Sequence, residues 1–213
     1  MRIAILGAEC TGKTSLGLSL VKELPTTPSL WVFVPEYLRE WCDRHRRTPR
    51  ADEQADIARQ QALRVTSKAA SGHSVIADTA PLMTAIYSDV LFQDVSLYAE
   101  AREHHTTYDM TLVTGLDLPW VADGMQRDGV ATRALIDGKL REVLQRYQLP
   151  YVAIYGTGAN RLQCARDAIA HYQRNPIPRS EHDTQWKWAC DTCSDADCEH
   201  RLFSGLVEAR QKS

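Results

Sequence analysis

Short apolar runs recur along the chain, and the stretches between them carry apolar positions three or four residues apart. The runs are RIAIL (2–6), WVFV (31–34), SVIA (74–77), MTLVTGL (110–116) and YVAIY (151–155), each brief and rich in strand-forming side chains. After the first run Leu16, Leu20 and Leu24 fall at i, i+4 and i+8 and Pro25 stops the pattern, which predicts a helix over 13–24. Ala55, Ala58, Ala62, Val65 and Ala69 hold helical spacing across 52–71, and Gly72 ends it. Further helices are predicted over 81–92, where Pro81 suits the first helical position, and over 132–147 and 159–173. Alternation of strand and helix predicts an α/β domain over 1–174, with a five-stranded parallel sheet between two layers of helices.

Beyond about residue 175 the pattern gives way to NPIPRSEHDTQ, rich in turn formers, and then to a cluster of Trp and Cys. A small Cys/His-rich extension is therefore expected over 175–213. A chain of 213 residues can bury one good core plus such an appendage. With 25 Lys+Arg against 27 Asp+Glu, it lacks the basic excess that nucleic acid or an anionic membrane attracts. The partner expected is a small molecule. The first apolar run is too short for a signal segment or a membrane span, so a soluble, cytoplasmic protein is expected. Free thiols or metal ligands are then a better reading of the six cysteines than structural disulfides.

The stretch GAECTGKT (7–14) fits G-x-x-x-x-G-K-[ST] and lies between the first strand and an amphipathic helix, the context a phosphate-binding loop requires. Gly7, Ala8, Glu9, Cys10, Thr11, Gly12, Lys13, Thr14 and Ser15 are the expected nucleotide contacts. Backbone amides would wrap the β-phosphate, Lys13 would reach the β- and γ-oxygens, and the Thr14 hydroxyl would ligate Mg²⁺. Cys10 reads either as a redox switch or as a small side chain tolerated beside a phosphate. With the cradle in place, the predicted fold is the three-layer P-loop NTPase fold, and ATP with Mg²⁺ is the expected cofactor pair.

Ligands of open parallel sheets sit outside the carboxyl ends of the strands, so acids just past the apolar runs stand out. Asp78 closes SVIAD, where an acid would hold Mg²⁺ opposite Thr14. Glu36 follows WVFVP, and a kinase needs a carboxylate to take the proton of the acceptor hydroxyl. Glu36 is the first candidate for this base and Asp78 the competitor; a helix cap is the plain alternative for either. Tyr37 and Arg39 are expected on the same acceptor side, with Arg39 pairing with Glu36 or meeting an anionic substrate.

After the fourth run, DLPWVADGMQRDGVATR (117–133) has no apolar periodicity and reads as a lid delivering Arg127 and Arg133 to the transferring phosphoryl group. Trp120 could stack on a planar heterocycle or pack into the core. The loop GTGANR (156–161) follows the fifth run; Gly156 and Gly158 would let backbone approach the adenine, with Asn160 and Arg161 beside it.

Taken together, GAECTGKTSL, VPEYLREW, ADTAPLMTAIYSDVLF, YDMTLVTGLDLPWVADGMQRDG and YGTGANRL resemble the P-loop domain of the NadR type, the ribosylnicotinamide kinase family, over about residues 2–173. The resemblance implies ATP-dependent phosphorylation of the 5′-hydroxyl of nicotinamide riboside. It implies that Lys13 and Thr14 serve ATP and Mg²⁺, that Asp78 lies beside the acceptor hydroxyl and the metal, that Trp120 and Asp123 line the substrate side, and that Arg127 is a lid residue. With no adenylyltransferase segment ahead of the loop, the kinase reaction alone is expected. The sequence departs from the family pattern at Cys10, where relatives commonly carry Ser, and at Ala80 and at Gly115 or Ala122, where they carry an acid.

In the extension, Cys190, Cys193, Cys198 and His200 offer four soft ligands, and the first pair has the spacing that turns two thiolates to one tetrahedral metal. Zn²⁺ is the metal expected there, against free thiols or a redox pair. Residues 176–213 hold five Lys+Arg and seven Asp+Glu, which disfavours nucleic acid despite Trp186 and Trp188. A competing reading of the whole chain is an ATP- or GTP-dependent regulatory switch with this extension as its interaction module.

Overall fold

A computed structural model describes residues 1–27, 29–120 and 130–175 of the chain. In order these form β1 (Arg2–Leu6), α1 (Lys13–Glu23), β2 (Trp31–Val34), α2 (Tyr37–His45), a 3-10 turn (Ala51–Glu53), α3 (Gln54–Ala70), β3 (Ser74–Asp78), α4 (Pro81–Phe92), α5 (Tyr98–His105), β4 (Met110–Thr114), α6 (Val130–Arg146), β5 (Val152–Ile154) and α7 (Gly158–Arg174). The strands make one parallel sheet in the order β2-β3-β1-β4-β5.

Side chains alternate across this sheet, so each strand feeds two cores. Ile3, Ile5, Ile76 and Leu112 face Leu16 and Leu20 of α1 and Ala165 and Ile169 of α7. Ala4, Leu6, Val75, Ala77 and Val113 face Val65 of α3, Leu82 and Ile86 of α4, and Ile136 and Leu140 of α6. Burying each such Ile or Leu stabilises by about 2 kcal/mol, and a one-residue slip of a strand would exchange its two faces, so this packing fixes the register.

α2 and α5 were not predicted. α2, YLREWCDRH, buries only Trp41 and Cys42, against Ile57 of α3; α5, YAEAREHH, has eight residues. Both are short, and the few residues they bury, Trp41 and Cys42 with Leu38 partly buried in α2, and Tyr98, Ala101 and His105 in α5, fill little more than one or two helical turns. The fourth and fifth strands are shorter than their apolar runs, ending at Thr114 and Ile154. None of the described helices is long and apolar enough to cross a membrane. Cys190, Cys193, Cys198 and His200 lie outside the described residues.

The chain leaves β1 toward β2 and β3, then returns past β1 to β4. Strand order therefore reverses at β1, and the carboxyl ends around it form the switch point where open α/β sheets bind ligands. Pairing of Ile5 with Asp78 sets the end of β3 beside the start of the loop that follows β1.

Candidate nucleotide and acceptor site

The loop between β1 and α1 depends on two glycines. Gly12, at φ +75, is the residue before α1, and a Cβ there would come 2.8 Å from Leu118 Cδ1. At Gly7, φ +148, a Cβ would fall onto the Thr114 hydroxyl. Both positions combine a backbone that L side chains rarely adopt with no room for one. Cys10 also takes a left-handed conformation, φ +54. Inside the loop, the Thr11 hydroxyl donates to the Ala8 carbonyl at 2.8 Å and accepts from the Thr114 hydroxyl at 2.7 Å. The Lys13 ammonium donates to the Gly7 and Ala8 carbonyls at 2.9 and 2.8 Å, which holds it across the loop.

Thr14, in the first turn of α1, donates its hydroxyl hydrogen to Asp78 Oδ2 at 2.5 Å. Asp78 is 1% exposed, and its Oδ1 is buried with no hydrogen-bond partner. The next residue, Thr79, sits at φ +73, a strained conformation for a β-branched side chain that turns the chain sharply away from the sheet.

Glu36 stands at the residue before α2, yet its side chain makes no capping bond. Its carboxylate is 20% exposed and lies 3.7 Å from the Arg39 guanidinium, which is half exposed. Burial raises the Glu36 pKa; Lys13 lowers it, Asp78 raises it, and Arg39 lowers it again. Glu36, Lys13 and Asp78 thus share one field, in which the two acids repel. Tyr37, expected on the acceptor side, is drawn instead toward α3: its N–H donates to Gln61 Oε1 at 2.8 Å and its ring carries the Arg64 guanidinium 4.5 Å from its centroid.

Arg161, expected beside the adenine, is 4% exposed and works as a strut. It donates to the Thr11 carbonyl at 2.7 Å, to the Gly156 carbonyl at 2.8 Å and to Asp117 Oδ1 at 3.0 Å. Asp117 Oδ2 accepts from the Gly156 N–H. The loop after β5 is in this way tied to the phosphate loop, while Asn160 is exposed at the start of α7.

Arg133 belongs to the first turns of α6 and not to an aperiodic loop, since the helix begins at Val130. It is 5% exposed and donates to the Leu118 carbonyl at 2.8 Å, and Leu118 is the residue packed against Gly12. Trp120 is partly buried, with its indole N–H unbonded. Asp123 and Arg127 lie outside the described residues.

Sequence reasoning passed over Asp117, Thr114 and Gln61. Asp117 follows β4 by three residues and was open to the same strand-end rule that selected Asp78. Thr114 is a polar residue inside an apolar run, at the end of β4. Gln61 falls between Ile57 and Val65 at four-residue spacing, a polar group in an apolar stripe. On the other side of the loop, the Tyr87 hydroxyl of α4 donates to Glu9 at 3.3 Å.

The family model AAA_28, described as an AAA domain, matches residues 2–161. No curated sequence matches the chain. Among solved structures, a NadR protein in complex with NAD and AMP-PNP is similar with a TM-score of 0.64 at 20% identity, covering 85% of this chain and 51% of that one. A NadR protein in complex with NR gives 0.66 at 20% identity, covering 84% and 52%. This chain thus spans about half the length of the NadR chains it matches. A deoxyadenosine kinase from M. mycoides is similar with a TM-score of 0.57 at 14% identity, covering 80% of this chain and all of that one. Thymidylate kinase from Ehrlichia chaffeensis gives 0.55 at 12%, covering 81% and 98%. The likeness in fold and the glycine-built loop between β1 and α1 agree with the family match, and the chain belongs to the AAA_28 family of AAA domains with a P-loop NTPase fold.

Proposed function

We propose that the protein is an ATP-dependent phosphotransferase acting on the hydroxyl of a nucleoside, with nicotinamide riboside as the first acceptor to test. The observation that carries this reading is the Thr14–Asp78 hydrogen bond at the switch point of the sheet, with Glu36 just past the carboxyl end of the strand paired to β3. A nucleotide-binding loop alone suits many P-loop proteins; a second carboxylate set beside the first is what an acceptor requires.

The residues fit Mg²⁺. The Thr14 hydroxyl and the Asp78 carboxylate are hard oxygen donors, and Asp78 Oδ1 is a buried oxygen with no hydrogen-bond partner. When bound there, Mg²⁺ supplies positive charge to the β- and γ-phosphate oxygens. Lys13 and the loop amides hold the phosphates. Glu36 accepts the proton of the acceptor hydroxyl as its oxygen bonds to the γ-phosphorus; the bond to the β-bridging oxygen breaks, and ADP leaves. A carboxylate whose pKa is raised by burial suits this task, because its ionised form is a stronger base than an ordinary carboxylate.

Two acids that already repel each other disfavour an acceptor carrying its own phosphate, which supports a nucleoside over a nucleoside monophosphate. The similar structures accord with this class, since one NadR protein is in complex with NR. At Gly115 a Cβ would fall onto the Tyr155 ring, so Tyr155 fills the space an acidic side chain would need. Neutral nucleosides therefore belong in the same assay as the cationic riboside.

The test is coupled ADP release from MgATP across a panel of nucleosides, with the product identified by mass. Release in proportion to a new phosphomonoester supports the proposal. Slow hydrolysis indifferent to every acceptor contradicts it and favours a regulatory ATPase.

A further inference from the structure

Pairing between β2 and β3 ends at Val34 with Ala77. Beyond that pair Pro35 has no N–H to donate to the ladder, and Thr79 takes a left-handed conformation, φ +73. The sheet therefore does not itself hold Glu36 against Asp78.

The Gln61 side chain spans the two segments past this point. Gln61 of α3 is 2% exposed; its Oε1 accepts from the Tyr37 N–H at 2.8 Å, and its Nε2 donates to the Asp78 carbonyl at 3.5 Å. On either side of it in α3, Ile57 and Val65 point into apolar cores, so the amide is placed where a hydrocarbon would otherwise pack. Burying a primary amide is tolerated when both of its ends are bonded. Here the two ends are bonded to the residue after one acid and to the backbone of the other.

The bond to Tyr37 has a second effect. Tyr37 is the first residue of α2, and its N–H is among those a helix leaves without an internal partner. An acid directly before a helix ordinarily serves as its cap. Gln61 takes over part of that duty, and the Glu36 side chain makes no capping bond.

We propose that Gln61 is a positioning residue, an amide brace that sets Glu36 relative to Asp78 by joining the start of α2 to the end of β3. The inference rests on the phosphotransferase reading above for its effect on turnover, although the brace itself is readable without it. An ionised Glu at position 61 would keep the acceptor and lose the donor; Met would fill the same volume and lose both.

The test compares wild type with Gln61→Met in nucleoside-dependent ADP release over a range of pH, together with an NMR titration of the Glu36 carboxyl in both proteins and a melting curve. In the variant, kcat is expected to fall roughly 10- to 100-fold, since small misplacement of a reacting group is enough for that loss. KM for ATP stays within about twofold of wild type, because the phosphate loop is not touched. The acid limb of the kcat profile and the NMR titration of Glu36 both move to lower pH, because relief of burial, the largest influence on the carboxyl, together with relief from Asp78, outweighs the lost attraction of Lys13. An unshifted Glu36 titration with wild-type kcat overturns the brace. So does a parallel loss of ATP affinity with an unshifted titration, which marks general loosening. If wild type itself transfers no phosphate to any nucleoside, the phosphotransferase reading fails, and the NMR titration still decides whether Gln61 holds the two acids together.

Discussion

Thr14 Oγ1 donates to Asp78 Oδ2 at 2.5 Å, joining the end of the phosphate loop to a strand end 64 positions later. Neither residue makes this arrangement alone: the loop is shaped by Gly7 and Gly12, and Asp78 is brought to it by the pairing of β3 with β1. Asp78→Asn keeps the size of the side chain and removes the charge. It is expected to weaken the dependence of ADP release on Mg²⁺ by roughly 10- to 100-fold in apparent metal affinity, measured by titrating Mg²⁺ at fixed ATP.

Glu36→Gln is expected to lower kcat by about 10²- to 10⁴-fold, the range for losing a general base. The same substitution raises Tm at pH 8. The sign follows from the raised pKa of Glu36: the folded protein holds this proton more tightly than the unfolded chain, so ionising the group works against folding. Gln removes that penalty. The gain in Tm shrinks as pH falls through the raised folded pKa and vanishes only below the ordinary carboxylate range, where Glu36 is protonated in both states. Melting curves at pH 5 and pH 8 check this, and an equal Tm difference at both would contradict it.

Arg161 holds three groups at once, and its removal leaves the Thr11 and Gly156 carbonyls and the Asp117 carboxylate without it. Arg161→Ala is expected to destabilise by about 2–4 kcal/mol, below the upper range for broken buried pairs because the Asp117 side chain is 28% exposed. Asp117→Asn should cost less, about 1 kcal/mol. Denaturant titration reads both, and ATP affinity should fall with Arg161→Ala because Thr11 belongs to the phosphate loop.

His105 lies 4% exposed beneath the other end of the sheet, with Nε2 3.0 Å from the Thr111 hydroxyl and its ring against Tyr108. Burial, with a smaller contribution from His104, lowers its pKa to about 4. As pH falls below about 6.5 the unfolded chain takes up this proton and the folded protein does not, so stability declines toward pH 4. The decline attributable to His105 amounts to about 3 kcal/mol. In His105→Gln the slope of stability against pH between these limits should flatten, as read by urea unfolding at several pH values.

The sequence carried the parts of the fold that repeat. Five apolar runs, the Leu16–Leu20–Leu24 stripe and the glycine-bounded loop each depend on local spacing, which is visible without contacts. α2 escaped notice because its buried face is two residues wide, and α5 because its eight residues make little more than two turns. The site divides in the same way. Asp78 and Glu36 were legible because strand ends are marked by the apolar runs before them. Arg161 was placed beside the nucleotide base from its loop alone, whereas its bonds reach back to Thr11, 150 positions away in sequence. Gln61 gave only the signal of a polar residue in an apolar stripe, and its meaning depends on two partners that share no local pattern with it.

The central claim, that residues 7–14 grip a triphosphate with a metal seated between Thr14 and Asp78, is tested most directly by calorimetry with a non-hydrolysable ATP analogue. The account predicts binding that strengthens with Mg²⁺, falls sharply in Lys13→Ala, and needs roughly 10- to 100-fold more Mg²⁺ in Asp78→Asn. Absence of heat from wild type with either purine triphosphate in Mg²⁺, or binding indifferent to Lys13, would contradict it.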